Sequence, residues 1–355
     1  IPPRSLCRRL TTVLVLSVCS LFSPAKVLGA DPRLMDVVEG MRKRQESIHD
    51  LKLRISTGEH RSDAYAEFYR DSTDRPVRNA TPDSFKRNIH KRFEFIERSP
   101  CWALSEFDPM GKTISQIVFD GTALNQFTSG QPNTSYRSMP MKSAEPPLTQ
   151  GHKSLEVILG KDLISWLEEA SSVSIRTHLE SGAELIELSF SNPAVNAEPE
   201  IRYWVTVNST RNYWPVKVVY EIVATDGKPD SRVEITAEGW NDTGHMNYPK
   251  MTTSRRFQRS SLNRKNEELE LIDSIVSEVT EVAMNTGISD DAFELKFPPR
   301  TIFYDASQRK YYEVGSDGEE HAYIPTPKGI RGAVMTYQFC VFAAVVVYLF
   351  RRKTA

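Results

Sequence analysis

Between Lys91 and Thr128 the chain alternates polar and apolar side chains in four short runs separated by turn residues. Arg92–Glu97 ends at Ser99-Pro100. Trp102–Phe107 ends at Asp108-Pro109-Met110-Gly111, and Ile114–Phe119 at Asp120-Gly121, before Ala123–Thr128. Period-two alternation broken by Pro-Met-Gly and Asp-Gly predicts an antiparallel meander with one buried face. Further alternating runs follow at Val173–Leu179, Glu184–Phe190, Ile201–Asn208, Pro215–Ala224, Arg232–Trp240 and Lys250–Phe257, with Thr225-Asp226-Gly227 as a hairpin turn. Leu51–Ile55 also alternates, and Asp290–Phe297, Thr301–Tyr304 and Lys310–Val314 close the series.

Helical spacing occurs in two places. Leu34, Val37, Val38 and Met41 recur on one face behind Asp31-Pro32, a cap and first-turn pair, and predict about four turns ending near Ser47. Leu163, Ile164 and Leu167 do the same within Lys161–Ala170, beside Trp166. Leu269–Met284 fits either period, but its Val, Ile and Thr content favours a strand. Asp71–Arg87 and the proline-bearing Gly130–Gln150 read as irregular connections.

The two ends carry a different pattern. Arg4, Arg8 and Arg9 precede the apolar run Leu10–Phe22 and a small-residue stretch ending at Ala30, which describes a secretory signal peptide over residues 1–30. Cleavage fits after Ala30 or after Ala25, and Leu16-Ser17-Val18-Cys19 leaves a lipoprotein signal as a third option. Gly332–Phe350 holds 19 residues without a charge and is followed by Arg351-Arg352-Lys353. As a helix this run covers roughly 28 Å, about one hydrocarbon core. Tyr337 and Tyr348 near its ends and the basic cluster after it predict a single-pass anchor with a cytoplasmic tail at 351–355. A processed sorting tail would use the same pattern. Residues 31–323 then form an ectodomain in the periplasm or another extracytoplasmic space, joined to the cell membrane through a linker at 324–331.

Charge and cysteine usage agree with that placement. The chain has 45 basic and 46 acidic residues, but the two ends hold seven of the basic ones and no acid. Residues 31–331 are therefore net acidic by eight, with no electrostatic footprint for nucleic acid. Of four cysteines, only Cys101 lies in the ectodomain, so neither an internal disulfide nor a thiolate metal site is expected.

Candidate chemistry is sparse. The seven histidines are scattered, and none forms a metal-binding or catalytic motif. Asp290-Asp291 and Glu319-Glu320-His321 read as solvated turns, and Cys101 beside Trp102 as a buried thiol. Neither a phosphate loop nor a nucleophile elbow occurs. The expectation is a chain without catalytic residues, metal or cofactor.

The order of elements carries a resemblance. A helix of the form MRKRQESIHDLKLRIS leads into a strand, followed by FEFIERSPCWALSEF, by VFDGTALNQFTS, by a central helix, and by IRYWVTVNSTRNYWPVKVVYEI. Over roughly Leu34–Phe297 this resembles the periplasmic lipoprotein carriers LolA and LolB and the related regulator RseB. The resemblance implies an α+β fold: a strongly curved antiparallel sheet, an incomplete barrel, whose concave face is plugged by helices around a cavity for acyl chains. Cys101-Trp102 matches no motif of that family, and a C-terminal anchor does not suit a shuttle. On this reading Trp102, Phe107, Phe119, Phe127, Leu163, Trp166, Leu167, Trp204 and Tyr220 line the cavity; ordinary core packing would bury the same side chains. Two functions follow: a membrane-anchored module binding lipid or lipoprotein, or an envelope sensor or scaffold that binds a protein partner with the same fold. An open cavity between the sheet and Lys161–Ala170 favours the first, and a filled one the second.

Overall fold

A computed structural model describes residues 31–65, 88–130, 134–141, 155–170, 172–193, 199–244, 246–259 and 268–324. The expected signal peptide, the loop Asp71–Arg87, all but the first residue of the linker 324–331, and the anchor Gly332–Phe350 with its tail lie outside these residues. Among the described residues no helix is long and apolar enough to cross a membrane.

The chain is mostly β. The helices are α1 (Pro32–Ser47) and α2 (Leu163–Glu169). The first strands are β1 (Leu51–Arg61), β2 (Ile89–Arg98), β3 (Cys101–Phe107), β4 (Thr113–Phe119), β5 (Ala123–Thr128) and β6 (Ser135–Pro140). After the two-residue pair β7 (Val157–Ile158) and β8 (Lys161–Asp162) come β9 (Val173–Glu180), β10 (Ala183–Asn192), β11 (Glu200–Asn208) and β12 (Trp214–Val223). The last are β13 (Pro229–Asp242), β14 (Asn247–Arg259), β15 (Leu269–Met284), β16 (Ile302–Asp305), β17 (Lys310–Val314) and β18 (Glu320–Tyr323). Among the described residues strand dominates and helices are few, the longest being the sixteen-residue α1 and the seven-residue α2. The ambiguous Leu269–Met284 is a strand, and Asp290–Phe293 is a short 3₁₀ turn rather than the start of one.

The chain divides into two compact units and passes between them after Ser47, Gly58, Asn88, Thr149 and Ser277. One unit takes α1, α2 and β9–β14; the other takes β2–β6 and β16–β18; β1 and β15 each give one part to either unit.

In the second unit the predicted meander is present. Antiparallel pairing joins β2 to β3, β3 to β4, β4 to β5 and β5 to β6. Its turns are held by aspartates acting as local acceptors. Asp108 takes the N–H groups of Met110 and Lys112 at 2.9 and 2.8 Å, and Asp120 those of Thr122 and Ala123 at 2.9 and 2.8 Å. Gly111 and Gly121 supply the positive φ these turns need. β6, inside a stretch expected to be irregular, pairs in parallel with β16, Phe303 opposite Ser135. Phe297, Phe303 and Tyr312 stack behind it, with ring centroids 4.2 and 5.6 Å apart. The Arg137 guanidinium lies 4.4 Å over Phe303 while pairing with Glu320.

In the first unit β9–β14 form an antiparallel series. Strand alternation gives one face to Ile186, Leu188, Phe190, Tyr203, Val205, Val207, Val218 and Ile235, all buried in one cluster. Against that face lie Leu34, Val37, Val38 and Met41 of α1 and Leu163, Ile164 and Leu167 of α2. Each fully buried aliphatic side chain contributes about 1.5–3 kcal/mol, so this contact holds both helices on the sheet. α1 begins at Asp31, whose carboxylate accepts from Arg33 N at 3.0 Å. α2 begins at Asp162, which accepts from Ile164 N at 3.0 Å.

Candidate binding sites

The side chains expected to line a cavity separate into groups. Trp102 and Phe119 are buried in the second unit with rings 6.3 Å apart. Phe107 is half-buried at the end of β3, and Phe127 belongs to the Phe297–Phe303 cluster. Leu163, Leu167, Trp166 and Tyr220 meet in the first unit at the contact between α2 and the sheet. Trp204 is on the opposite face of that sheet and is 41% exposed, so it does not face the helices.

Beneath α2 the space is filled. Tyr203, fully buried, stacks on Phe190 at 4.6 Å and meets Trp166 at 5.3 Å and Tyr220 at 6.5 Å. Trp166 donates its indole N–H to Ile158 O at 2.9 Å and carries Lys161 over its ring at 4.3 Å. The Tyr203 hydroxyl has no hydrogen-bond partner, and burial pushes its pKa well above the ordinary phenol value.

A buried charge closes the end of this core. Arg44, on α1, pairs with Glu156, donates to Tyr213 O at 2.6 Å and lies 4.1 Å over the Trp214 ring. Burial pushes its guanidinium down from the ordinary value, and Glu156 draws it back up. Gln45 donates to Asp162 at 3.1 Å, and Arg42 to Glu168 at 2.6 Å. Helix α1 is thus tied to both ends of α2 by polar contacts as well as by the apolar core.

The open concavities lie elsewhere. One, of about 450 Å³, is on the outer face of β9–β13 and is lined by Ser174, Arg176, Glu187, Ser189, Trp204, Thr206, Lys217, Val219, Glu221 and Arg232, among others. Register explains the gathering. Ser189 and Val219 flank Trp204 across the strands, while Arg176, Glu187, Thr206 and Lys217 form the adjoining row. Glu221 stands opposite Arg232 on the other side of Trp204. Arg232 is engaged, at 2.6 Å from Glu234 and 3.7 Å from Glu221, but its Nε is buried without an acceptor. Among the described residues, Arg176, Glu187 and Lys217 make no ion pair, and Ser189 and Thr206 make no side-chain hydrogen bond.

Two further concavities, of about 520 and 510 Å³, belong to the second unit. The first borders Phe127, whose ring is only 6% exposed and offers no face. In the second, Arg98 is held by Ile288 O and Asp290, Arg137 by Glu320, and Asp120 by its own turn, while Glu294 makes no ion pair among the described residues. The β17–β18 hairpin brings Asp317, Glu319 and His321 together, with possible ligand atoms within 4.8 Å of one another, all exposed. Sequence spacing had assigned Glu319 and His321 to a turn; β18 puts His321 on a strand, opposite Glu313.

No protein-family model matches the chain, and no curated protein does. Among solved structures it is similar to a DUF1329 family protein from Desulfovibrio piger. The TM-score is 0.42 and the identity 9%, over 74% of this chain and 96% of that one. It is also similar to the lipoprotein LppX of Mycobacterium tuberculosis, with TM-score 0.29 and identity 8%, over 74% of this chain and all of that one. Likenesses this distant assign neither a family nor a ligand.

Proposed function

We propose that this protein is a non-catalytic binding module held on the outer side of a membrane, and that it binds through the groove around Trp204. One observation carries the reading. The space expected to receive a ligand is occupied by the chain's own core, while the outer face of the same sheet presents a half-exposed indole among charged and hydroxyl groups left without partners. A site that is concave, preformed and furnished with unsatisfied polar groups is where a ligand gains most. The membrane placement rests on the basic–apolar pattern at the N-terminus and on Gly332–Phe350.

The test is fluorine NMR on the full chain labelled with 5-fluorotryptophan, challenged with lipid vesicles, soluble oligosaccharides and peptides. A perturbation of the Trp204 resonance with Trp166 unmoved supports the groove. A panel that leaves Trp204 unmoved removes it.

A second reading, binding of acyl chains beneath α1 and α2, draws on the Tyr203 hydroxyl, an unpaired polar group at the centre of an aromatic cluster. It requires the helices to lift. Acyl chains retained through purification, with the Trp166 resonance shifted on their removal, would favour it.

A further inference from the structure

We propose that the ligand of the Trp204 groove is a neutral oligosaccharide; the proposal rests on the groove being the binding site and adds the chemistry of what it holds. The charges make the choice. Arg176 and Lys217 share a row with Glu187, and Arg232 lies beside Glu221. An anionic ligand in this groove would sit against Glu187, and a cationic one against Arg176 and Lys217, so either meets repulsion along with attraction. A neutral, polyhydroxylated ligand meets none, because each hydroxyl both donates and accepts. It can donate to the Glu187 carboxylate and accept from the Arg176, Lys217 and Arg232 nitrogens.

The aromatic ring fits the same ligand. Trp204 projects from the middle of a sheet, with Ser189 and Val219 as short neighbours on either side, so its indole stands above them. A flat, electron-rich face next to hydrogen-bonding groups suits a pyranose, which presents C–H bonds on one face and hydroxyls around its rim. Ser174, Ser189 and Thr206 add neutral partners, and the volume of about 450 Å³ accommodates a few sugar units rather than a folded partner. The indole and the charged row come from β9–β12, so the site is built on paired strands rather than on loops.

The experiment is calorimetric titration of the full chain with cellohexaose, maltohexaose and chitohexaose, repeated with Trp204→Ala, Trp204→Phe and Glu187→Gln. At least one hexasaccharide should bind. Trp204→Ala should weaken it roughly tenfold or more, and Trp204→Phe and Glu187→Gln by less, at an unchanged melting temperature. Failure of all three sugars to bind at about 10 mM, or binding that Trp204→Ala leaves intact, overturns the proposal. If anionic vesicles or a charged peptide perturb Trp204 where sugars do not, the sugar assignment falls and the groove stands. If nothing perturbs Trp204, both fall.

Discussion

The ring of Tyr213 lies against the backbone of Gly40 where a side chain would otherwise be. A Cβ at residue 40 would come within 2.3–2.5 Å of three ring carbons, far inside van der Waals contact. Tyr213 and its neighbour Asn212 both adopt left-handed backbone conformations, which puts the ring against α1 directly ahead of β12. Glycine in mid-helix usually weakens a helix; here it is the residue that allows the approach.

Gly40→Ala should therefore destabilise the first unit by about 1–3 kcal/mol, although alanine favours helix by about 1 kcal/mol. Combining it with Tyr213→Ala removes the clash, so the loss should shrink in the double variant. Thermal melts of the four proteins check this; additive effects would refute the contact.

Arg44 and Glu156 form a pair that is costly to break from one side. Arg44→Met or Glu156→Gln alone leaves a buried charge or an orphaned partner and should lose about 3–5 kcal/mol. The double change Arg44→Met with Glu156→Leu should recover most of that, read as denaturant midpoints.

Asp50 is nearly buried and accepts from Thr286 N and Gly287 N at 2.9 Å each. Burial pushes its carboxyl up, but these bonds outweigh it and hold the pKa below the ordinary value. A depressed folded pKa gives stability present above the unfolded pKa, about 4, and lost as pH falls through the folded one. Asp50→Ala should cost about 1–3 kcal/mol at neutral pH and flatten the acid limb of the stability curve.

Asp162 is the opposite case. Burial raises its pKa, with Glu156 adding to the effect, although Gln45 and the amides of α2 lower it. A carboxyl raised in the folded state costs stability as pH climbs past its unfolded pKa, and the cost is complete above the folded one. Asp162→Asn keeps the cap and should be neutral or stabilising at pH 7, whereas Asp162→Ala should lose about 1 kcal/mol. Equal losses for both would show that the charge itself is needed.

The meander was legible because each of its features is local: alternation sets the strands, and Asp108, Gly111, Asp120 and Gly121 set the turns. β6 was not, because Pro140 argues against a strand and half of its pairing comes from β16, remote in sequence. Asp290–Phe293 carries a strand-like pattern but curls, with Phe293 packed on Ala103 and Val118 and Arg98 holding Ile288 O at 2.6 Å. β18 is a charged, exposed strand that no apolar alternation announces. For the candidate site the signal was present in the parity of β11. Tyr203, Val205 and Val207 claim one face, which leaves Trp204 on the other with Arg202 and Thr206. Counting Trp204 by its apolarity, rather than by its place in the alternation, put it on the wrong side.

The parallel pairing of Ser135 with Phe303 has a consequence in time. A ribosome must finish most of the chain before β6 has a neighbour in β16, and closing so long a loop is slow because its entropy cost comes before any contact repays it. The meander β2–β5 can assemble early from neighbouring segments. The Phe297–Phe303–Tyr312 stack and Arg137 over Phe303 can form only at the end. Pulse-labelled hydrogen exchange during refolding should find the amides of β3 and β4 protected before those of β16 and β17.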